Sequence, residues 1–162
     1  MQTKKYQKLF GEAKPSAQLV MAILLHDIGK PPTLKTPEKH HTERIRFDEH
    51  NEQGAEMAKK IIKRLKLASL PEGTALRLDE KVLVWLIKNH LLLAHGDPKK
   101  MRAGTIEKYF FNPLVPGDEL RQLSYCDIQA TIPPSGQPDM TNFDKMTARI
   151  EEVGKLAREK NI

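Results

Sequence analysis

The chain has 162 residues, of which 39% are hydrophobic and 30% are charged, a composition typical of one soluble globular domain with a real core. Its single cysteine, Cys126, excludes an internal disulfide framework, and no apolar run approaches the roughly 20 residues that cross a bilayer. The net charge of +6 is compatible with an anionic partner such as RNA or a phosphate ester, and equally with a solvated basic surface. We therefore expect a cytoplasmic protein without a membrane partner.

The predicted elements are helical almost throughout, because apolar residues recur at spacings of three and four without sustained alternation. The first element is a short helix over residues 3–11. Ser16 is the predicted N-cap of a second helix, "AQLVMAILLHD". This helix is apolar nearly all round, so we expect it to be central, with Leu24 and Leu25 anchoring it. Gly29 and the proline pair that follows end it.

A polar loop with three prolines occupies residues 31–47. It is long for a compact domain, and long loops near a site tend to be functional or mobile. Asp48 is the predicted N-cap of a helix that ends near Leu67. The apolar stripe predicted for this helix contains Gly54, Met57, Ala58, Ile61 and Leu65. Its predicted outward face is basic and contains Lys59, Lys60, Lys63 and Arg64.

Residues 68–78 form a second predicted loop, after which Asp79 caps a mostly buried helix, "EKVLVWLIKNHLLLAH". Three further helices are predicted from about Pro98 to Phe111, from about Asp118 to Thr131, and over residues 141–160. We expect the whole chain, 1–162, to be one domain with its core at about 16–132. A proline-rich linker at 133–140 then leads into the C-terminal helix.

Ligand-type side chains fall on the predicted core faces of four helices. His26 and Asp27 end the first buried helix, while His50, His90 and Asp127 share faces with apolar residues at helical spacings. Taken singly, an inward histidine is more often a satisfied core residue. Together these side chains favour a bound divalent cation, because an isolated ionised carboxylate is costly in a core. Imidazole and carboxylate ligands suit Zn, Mn, Fe or Ni, with Mg held through the carboxylates.

The remaining histidines and the cysteine are weaker candidates. His40 and His41 lie in the polar loop and are predicted to be exposed. His95 follows His90 by five residues and does not share its helical face. Cys126 points away from its neighbour in the sequence and is interpreted as a core residue. We therefore predict that none of these side chains is a metal ligand.

Four segments occur in a characteristic order: "LLHDIGK" at 24–30, then "FDEHNEQGAEMA", "VLVWLIKNH" and "LRQLSYCD". They resemble the HD superfamily of metal-dependent phosphohydrolases, and "LLHDIGK" looks like its signature. The closer resemblance is to the HD domain of bacterial tRNA nucleotidyltransferases and related poly(A) polymerase-like proteins. It covers about residues 16–132.

The resemblance implies an HD-domain-like bundle of about six to seven helices that holds a divalent metal ion. The family's ligands are an early His, the His-Asp pair and a late Asp, which correspond here to His26, Asp27 and Asp127. Members with two metals use further histidines, and His50 and His90 occupy comparable positions. The early histidine is expected upstream of His26, but residues 1–25 contain none.

The resemblance also implies a mechanism. A metal lowers the pKa of a bound water, and the resulting hydroxide attacks a phosphate ester. The catalytic candidates are Asp27, Lys30, His50 and His90. The two histidines could bind phosphate oxygens, and Lys30 could place a cation near the developing negative charge. Lys30 is explained equally well as a solvated lysine at a helix C-terminus, where positive charge is favoured.

Two functions follow from this resemblance. The first is a phosphohydrolase that acts on a nucleotide, a cyclic phosphodiester or an RNA-end phosphate. The second is a non-catalytic HD module, or an excised fragment, of a tRNA nucleotidyltransferase-like protein, whose basic faces contact tRNA phosphates. Nucleotidyl transfer itself is not expected, because no segment of the chain has the pattern of paired metal-binding carboxylates on a sheet.

Overall fold

The computed structural model describes residues 4–12, 14–134 and 136–159, which are mostly helical, and this confirms the all-α prediction. The helices are α1 (Lys4–Phe10), α2 (Ala17–Leu25), α3 (Pro37–His40), α4 (His50–Arg64), α5 (Glu80–Asn89), α6 (Leu92–His95), α7 (Ala103–Ile106), α8 (Gly117–Ala130) and α9 (Thr141–Glu159). Short 3-10 turns lie at Pro31–Thr33 and Leu67–Ser69, and a π-helical turn, Glu107–Phe111, follows α7. Two short strands, β1 (Leu34–Lys35) and β2 (Arg46–Phe47), pair antiparallel.

α2 is capped as predicted but is buried on one side only. The Ser16 hydroxyl oxygen accepts a hydrogen bond from the Leu19 N–H at 3.0 Å, which confirms the N-cap. Leu19 and Ala22 are buried where α2 packs against α5 and α8. Leu24 is 71% exposed and Val20 is 43% exposed, so the prediction that Leu24 anchors the helix is wrong. The apolar composition of α2 does not distinguish its packed side from its exposed side.

The predicted loop at 31–47 folds into a β-hairpin that carries α3 between its strands. Asp48 follows β2, and the prediction that it caps α4 is wrong. Its carboxylate instead accepts hydrogen bonds from Lys35 Nζ and Arg46 Nε, each at 3.0 Å. Glu49 takes the N-cap position with a left-handed backbone, at φ 60°, and makes no side-chain cap.

The buried face of α4 is rotated relative to the predicted stripe. The residues that it buries are His50, Gly54, Ala55, Ala58 and Ile62. Leu65, predicted to be in the stripe, is 57% exposed and lies just beyond the helix, which ends at Arg64. The rotation follows from packing, because α4 lies mainly against α5, a partner that the sequence of α4 alone does not specify.

Two predicted helices are interrupted. The helix capped by Asp79, whose carboxylate accepts from the Lys81 and Val82 N–H groups as predicted, breaks after Asn89 and resumes as α6. The carbonyl of His90 accepts a hydrogen bond from the Ser124 hydroxyl at 3.0 Å. The helix predicted from Pro98 begins only at Ala103, because the residues after Asp97 fold into turns on its carbonyl and carboxylate.

The core gathers apolar side chains from α2, α4, α5, α8 and α9, among them Leu19, Ile62, Leu83, Leu123 and Phe143. α9 is tied to α6 by the Asn142 side-chain amide, which donates to three backbone carbonyls at 2.9–3.1 Å. The assignment of the chain to one domain, with its core at 16–132 and a linker at 133–140, stays a prediction. Within the described ranges, no helix combines the length and the hydropathy that crossing a membrane requires.

Candidate metal centre

The turn that follows α2 presents His26 and Asp27 side by side. The His26 N–H donates to the Ala22 carbonyl at 2.9 Å, so the backbone continues the helix into the pair. Gly29 is buried where this turn meets α4, and a Cβ at this position would overlap the His50 carbonyl oxygen. The close approach of the two backbones places the first turn of α4, and therefore His50, against the His-Asp pair.

Three imidazoles in the site share one orientation. His26, His50 and His90 each use Nδ1 to donate a hydrogen bond to the carbonyl three residues earlier, at 2.7–2.8 Å. In the neutral ring this leaves a lone pair on Nε2, the form that binds a metal. Nε2 of His50 and Nε2 of His90 are buried, and neither has a hydrogen-bond partner among the described residues.

Two carboxylates face these imidazoles. His26 Nε2 lies 3.3 Å from Asp27 Oδ2 and 3.2 Å from Asp127 Oδ1. His50 Nε2 lies 3.5 Å from the other oxygen of Asp27. The His26 and His50 rings each stand edge-on to the His90 ring, with centroids 5.2 and 5.3 Å apart. The five side chains predicted from the sequence therefore lie together, although the role of each stays a prediction.

Three of the four ligand-type side chains with shifted pKa values have the protonation state that a metal ligand needs. Burial opposes protonation of His26, but hydrogen bonds to Asp127 and Asp27 outweigh it and raise the pKa of His26 to about 10. Burial also acts to raise the pKa of Asp27, yet hydrogen bonds from His26 and Lys30 hold it well below its usual range. Burial also acts to raise the pKa of Asp127, but the hydrogen bond with His26 outweighs it and lowers this pKa. Burial lowers the pKa of His90 to about 4. The carboxylates are thus ionised and His90 is neutral, as ligands must be, whereas His26 carries a proton that it must release when it binds a metal.

The side chains form two overlapping ligand sets. His26, Asp27 and Asp127 form the first, and Asp27, His50 and His90 form the second. In each set, one ligand atom per residue lies within 4.8 Å of the others. Nitrogen and oxygen donors of this kind suit Zn, Mn, Fe or Ni. The buried Nε2 atoms that lack partners are the groups that an ion would satisfy, so the residues present fit a divalent metal.

The sequence itself matches a known family over this region. Residues 4–127 match the family described as HD domain. The chain belongs to the HD domain family. HD domains bind divalent metal ions and belong to a superfamily of metal-dependent phosphohydrolases, which implies a phosphate-containing substrate. No curated protein and no solved structure matches the chain.

The HD-domain match begins in α1, upstream of the His-Asp pair, yet α1 contains no histidine. Tyr6 of α1 packs against Phe10 and Tyr125, with ring centroids 5.0 and 5.8 Å away. Lys5 forms an ion pair with Asp144 of α9 at 3.1 Å. Within the described residues, neither ligand set includes a side chain from α1, so this helix supplies no substitute for the early histidine.

Lys30 lies at the edge of the HD-domain site. Its Nζ donates a hydrogen bond to Asp27 Oδ2 at 2.6 Å and lies 5.8 Å from the centroid of the Phe47 ring. The ammonium group is therefore held between a ligand carboxylate and an aromatic face, which is compatible with a role in phosphate chemistry. That role stays a prediction.

A cavity of about 580 Å³ opens from the ligand sets toward the β-hairpin and α6. Its walls include side chains that the sequence analysis did not assign to a site, among them Arg44, Arg46, Phe47, Leu91 and His95. His40 and His41 are exposed, as predicted, and do not line it. The available signal was the pair of arginines, two positions apart, in a loop flanked by two family motifs.

Proposed function

We propose that this HD domain hydrolyses a phosphate ester in a metal-dependent reaction, with a nucleotide, a cyclic phosphodiester or an RNA-end phosphate as substrate. The observation that carries the proposal is the meeting of two carboxylates and three oriented imidazoles, all of which except His26 line one cavity. Two of the imidazoles bring buried Nε2 atoms that have no partner among the described residues. A structural core has no need of such atoms, because each costs free energy when it is left unsatisfied.

The side chains have distinct roles in this proposal. His26, Asp27 and Asp127 hold a divalent ion, which when bound supplies a Lewis acid and acidifies water. The Lys30 ammonium steadies Asp27 and offers positive charge where negative charge develops on the phosphate. His50 and His90 present lone pairs at Nε2, since their Nδ1 protons are used by backbone carbonyls. They therefore favour a second metal over direct contact with phosphate oxygens.

The test combines metal analysis with an assay of bis-p-nitrophenyl phosphate and 2′,3′-cyclic AMP in the presence of Mn, Ni or Mg. We expect wild type to retain metal and hydrolyse a probe, and Asp27→Asn to lose both properties while remaining folded. Asp118→Asn is the matched control, because this side chain is 86% exposed and lies outside the cavity. Wild type without metal and without hydrolysis under any of these conditions would contradict the proposal.

A non-catalytic HD module that supports tRNA binding is the second candidate. It is favoured by the basic side chains on the outer side of α4 and just after it, of which Lys60, Lys63, Arg64 and Lys66 are exposed, and by the lack of an early histidine. Phosphate contacts of this kind make binding strongly dependent on salt. Tight, salt-sensitive binding of tRNA without hydrolysis would support this module and the likeness to tRNA nucleotidyltransferases.

A further inference from the structure

The cavity offers more room than a single phosphate group requires. Its volume of about 580 Å³ lies in the range of sites that enclose whole small molecules. Beyond the ligand sets, polar and apolar residues line the cavity in about equal number, and its apolar wall includes Ile45, Phe47, Leu91, Ala94 and Ile128. Ile45 is 58% exposed. An organic moiety that extends from the reacting phosphate would cover this apolar wall.

Three basic side chains line the cavity, and two of them are already committed. Lys30 is hydrogen-bonded to Asp27 at 2.6 Å, and the proposed function assigns its charge to the reacting phosphate. Arg46 places both Nε and Nη2 3.0 Å from one oxygen of Asp48, whose other oxygen is held by Lys35. Asp48 thus neutralises one of these two positive charges and occupies both Nε and Nη2 of Arg46.

Arg44 is the third of these basic side chains. Among the residues that the structure describes, no carboxylate pairs with its guanidinium, although this side chain lines the cavity. Arg44 lies just before β2, and its carbonyl accepts a hydrogen bond from the Thr42 hydroxyl at 2.8 Å. A guanidinium offers a planar fork of N–H donors that matches phosphate in a bidentate manner.

We propose that Arg44 binds a second phosphate group of the substrate, separate from the one that reacts, so that the preferred substrate is a small nucleotide bearing two phosphates. The reacting phosphate lies at the ligand sets, the base and sugar lie against Ile45 and Phe47, and the second phosphate reaches Arg44. The assignment of the reacting end rests on the proposed function. The contact between Arg44 and the second phosphate is a binding property that does not require turnover.

The test compares two probes that share base and sugar, adenosine 5′-monophosphate and adenosine 3′,5′-bisphosphate. Their affinities are measured by calorimetry with Mg²⁺ present, and chromatography confirms that each probe is intact. We expect wild type to bind the bisphosphate about tenfold more tightly, in line with one charge-assisted contact to phosphate. Raising the salt concentration should reduce this preference, because Arg44 is exposed.

Variants at position 44 assign the preference to one side chain. Arg44→Gln should bind both probes equally, and Arg44→Lys should keep part of the preference because it keeps the charge. Arg64→Gln is the matched control, since Arg64 is an exposed arginine of α4 outside the cavity. Circular dichroism verifies that each variant is folded.

Several outcomes would overturn the inference: equal affinity of wild type for both probes, no measurable binding of the bisphosphate, or an equal loss for both probes in Arg44→Gln. A protein that prefers the bisphosphate through Arg44 yet hydrolyses no phosphate ester with any metal would refute the proposed function and leave the inference standing. Hydrolysis without a preference for the second phosphate would support the proposed function and refute the inference.

Discussion

His90 is an imidazole with no exposed surface, and burial lowers its pKa from 6.5 to about 4. Because the unfolded chain binds a proton at higher pH than the folded chain does, stability must fall as pH decreases from 6.5 to 4. The pKa of His26 is shifted the opposite way, to about 10, so His26 changes the free energy of unfolding mainly above pH 6.5. Asp27 and Asp127, whose ordinary pKa is 3.8, have lowered pKa values and so change the free energy of unfolding mainly below pH 3.8. Among these groups, His90 therefore dominates the pH dependence of the free energy of unfolding between pH 4 and pH 6.5.

We expect metal-free wild type to lose about 2 kcal/mol of unfolding free energy between pH 7 and about pH 4.5 through His90. Urea denaturation after chelator treatment measures this loss. His90→Gln should show a correspondingly flatter profile, and His95→Gln, at an exposed position, should keep the wild-type profile. Identical profiles for wild type and His90→Gln would contradict the assignment.

Lys30 gives a second prediction at the scale of single residues. Lys30→Met removes the ammonium that lies 2.6 Å from Asp27, so both the charge near the phosphate and the position of the carboxylate are lost. We expect the rate of phosphoester hydrolysis to fall by about tenfold to a hundredfold, the scale of losing one preorganised electrostatic contact. Steady-state assays measure the change. Lys39→Met, at an exposed lysine of α3, should retain wild-type rates.

Three of the ligand-type residues, His50, His90 and Asp127, were predictable because each follows a helical pattern that the sequence displays. His50 and His90 share faces with buried residues, and both are buried in the structure. Arg44, Phe47 and His95 were not assigned to the site, because the hairpin and the break before α6 decide which side chains line the cavity. Such walls depend on tertiary packing, about which local periodicity carries no information.

Two glycines bring the His-Asp turn and α4 into direct backbone contact. A Cβ on Gly29 would lie 2.6 Å from the Gly54 nitrogen and would overlap the His50 carbonyl, whereas a Cβ on Gly54 would lie 3.3 Å from the Gly29 nitrogen. The obstacles to a side chain at Gly29 are backbone atoms, which cannot rotate away. The distance between His50 and Asp27 thus depends on the absence of one methyl group.

We expect Gly29→Ala to destabilise the protein by about 1–3 kcal/mol or more, the usual cost of overpacking, and to weaken metal binding by moving α4 away from Asp27. Chemical denaturation and metal titration measure the two effects. Gly104→Ala is the matched control, because a Cβ there meets no atom within 4 Å. Retention of wild-type metal affinity by Gly29→Ala would show that the close backbone contact between the His-Asp turn and α4 does not position the site.

The element boundaries show which sequence signals are reliable. Ser16 and Asp79 are N-caps as predicted, since each has free N–H groups of a following helix within reach and no competing partner strong enough to remove it. Asp48 has the same preference but is taken by Lys35 and Arg46, which the hairpin brings to it. A cap is therefore predictable from local sequence only where no distant cation competes for the carboxylate.

Metal binding should stabilise the whole molecule, because the ligands come from α4, α8, the turn after α2 and the C-cap of α5, and meet only in the folded state. At about 100 times the dissociation constant, an added metal should contribute about 2.7 kcal/mol, or roughly 5–10 °C in Tm for a domain of this size. Thermal melts with and without chelator measure the shift. Asp27→Asn should abolish it, and an unchanged Tm for wild type would argue against the site.

Asp27 belongs to both ligand sets, with one oxygen toward His26 and Lys30 and the other toward His50. The two sets therefore cannot be occupied as independent sites. An ion in one set changes the charge that the shared carboxylate offers to the other, and linkage requires the effect to be equal in both directions. A titration with metal consequently measures a coupling free energy as well as an affinity, and the order of filling is a property of the pair.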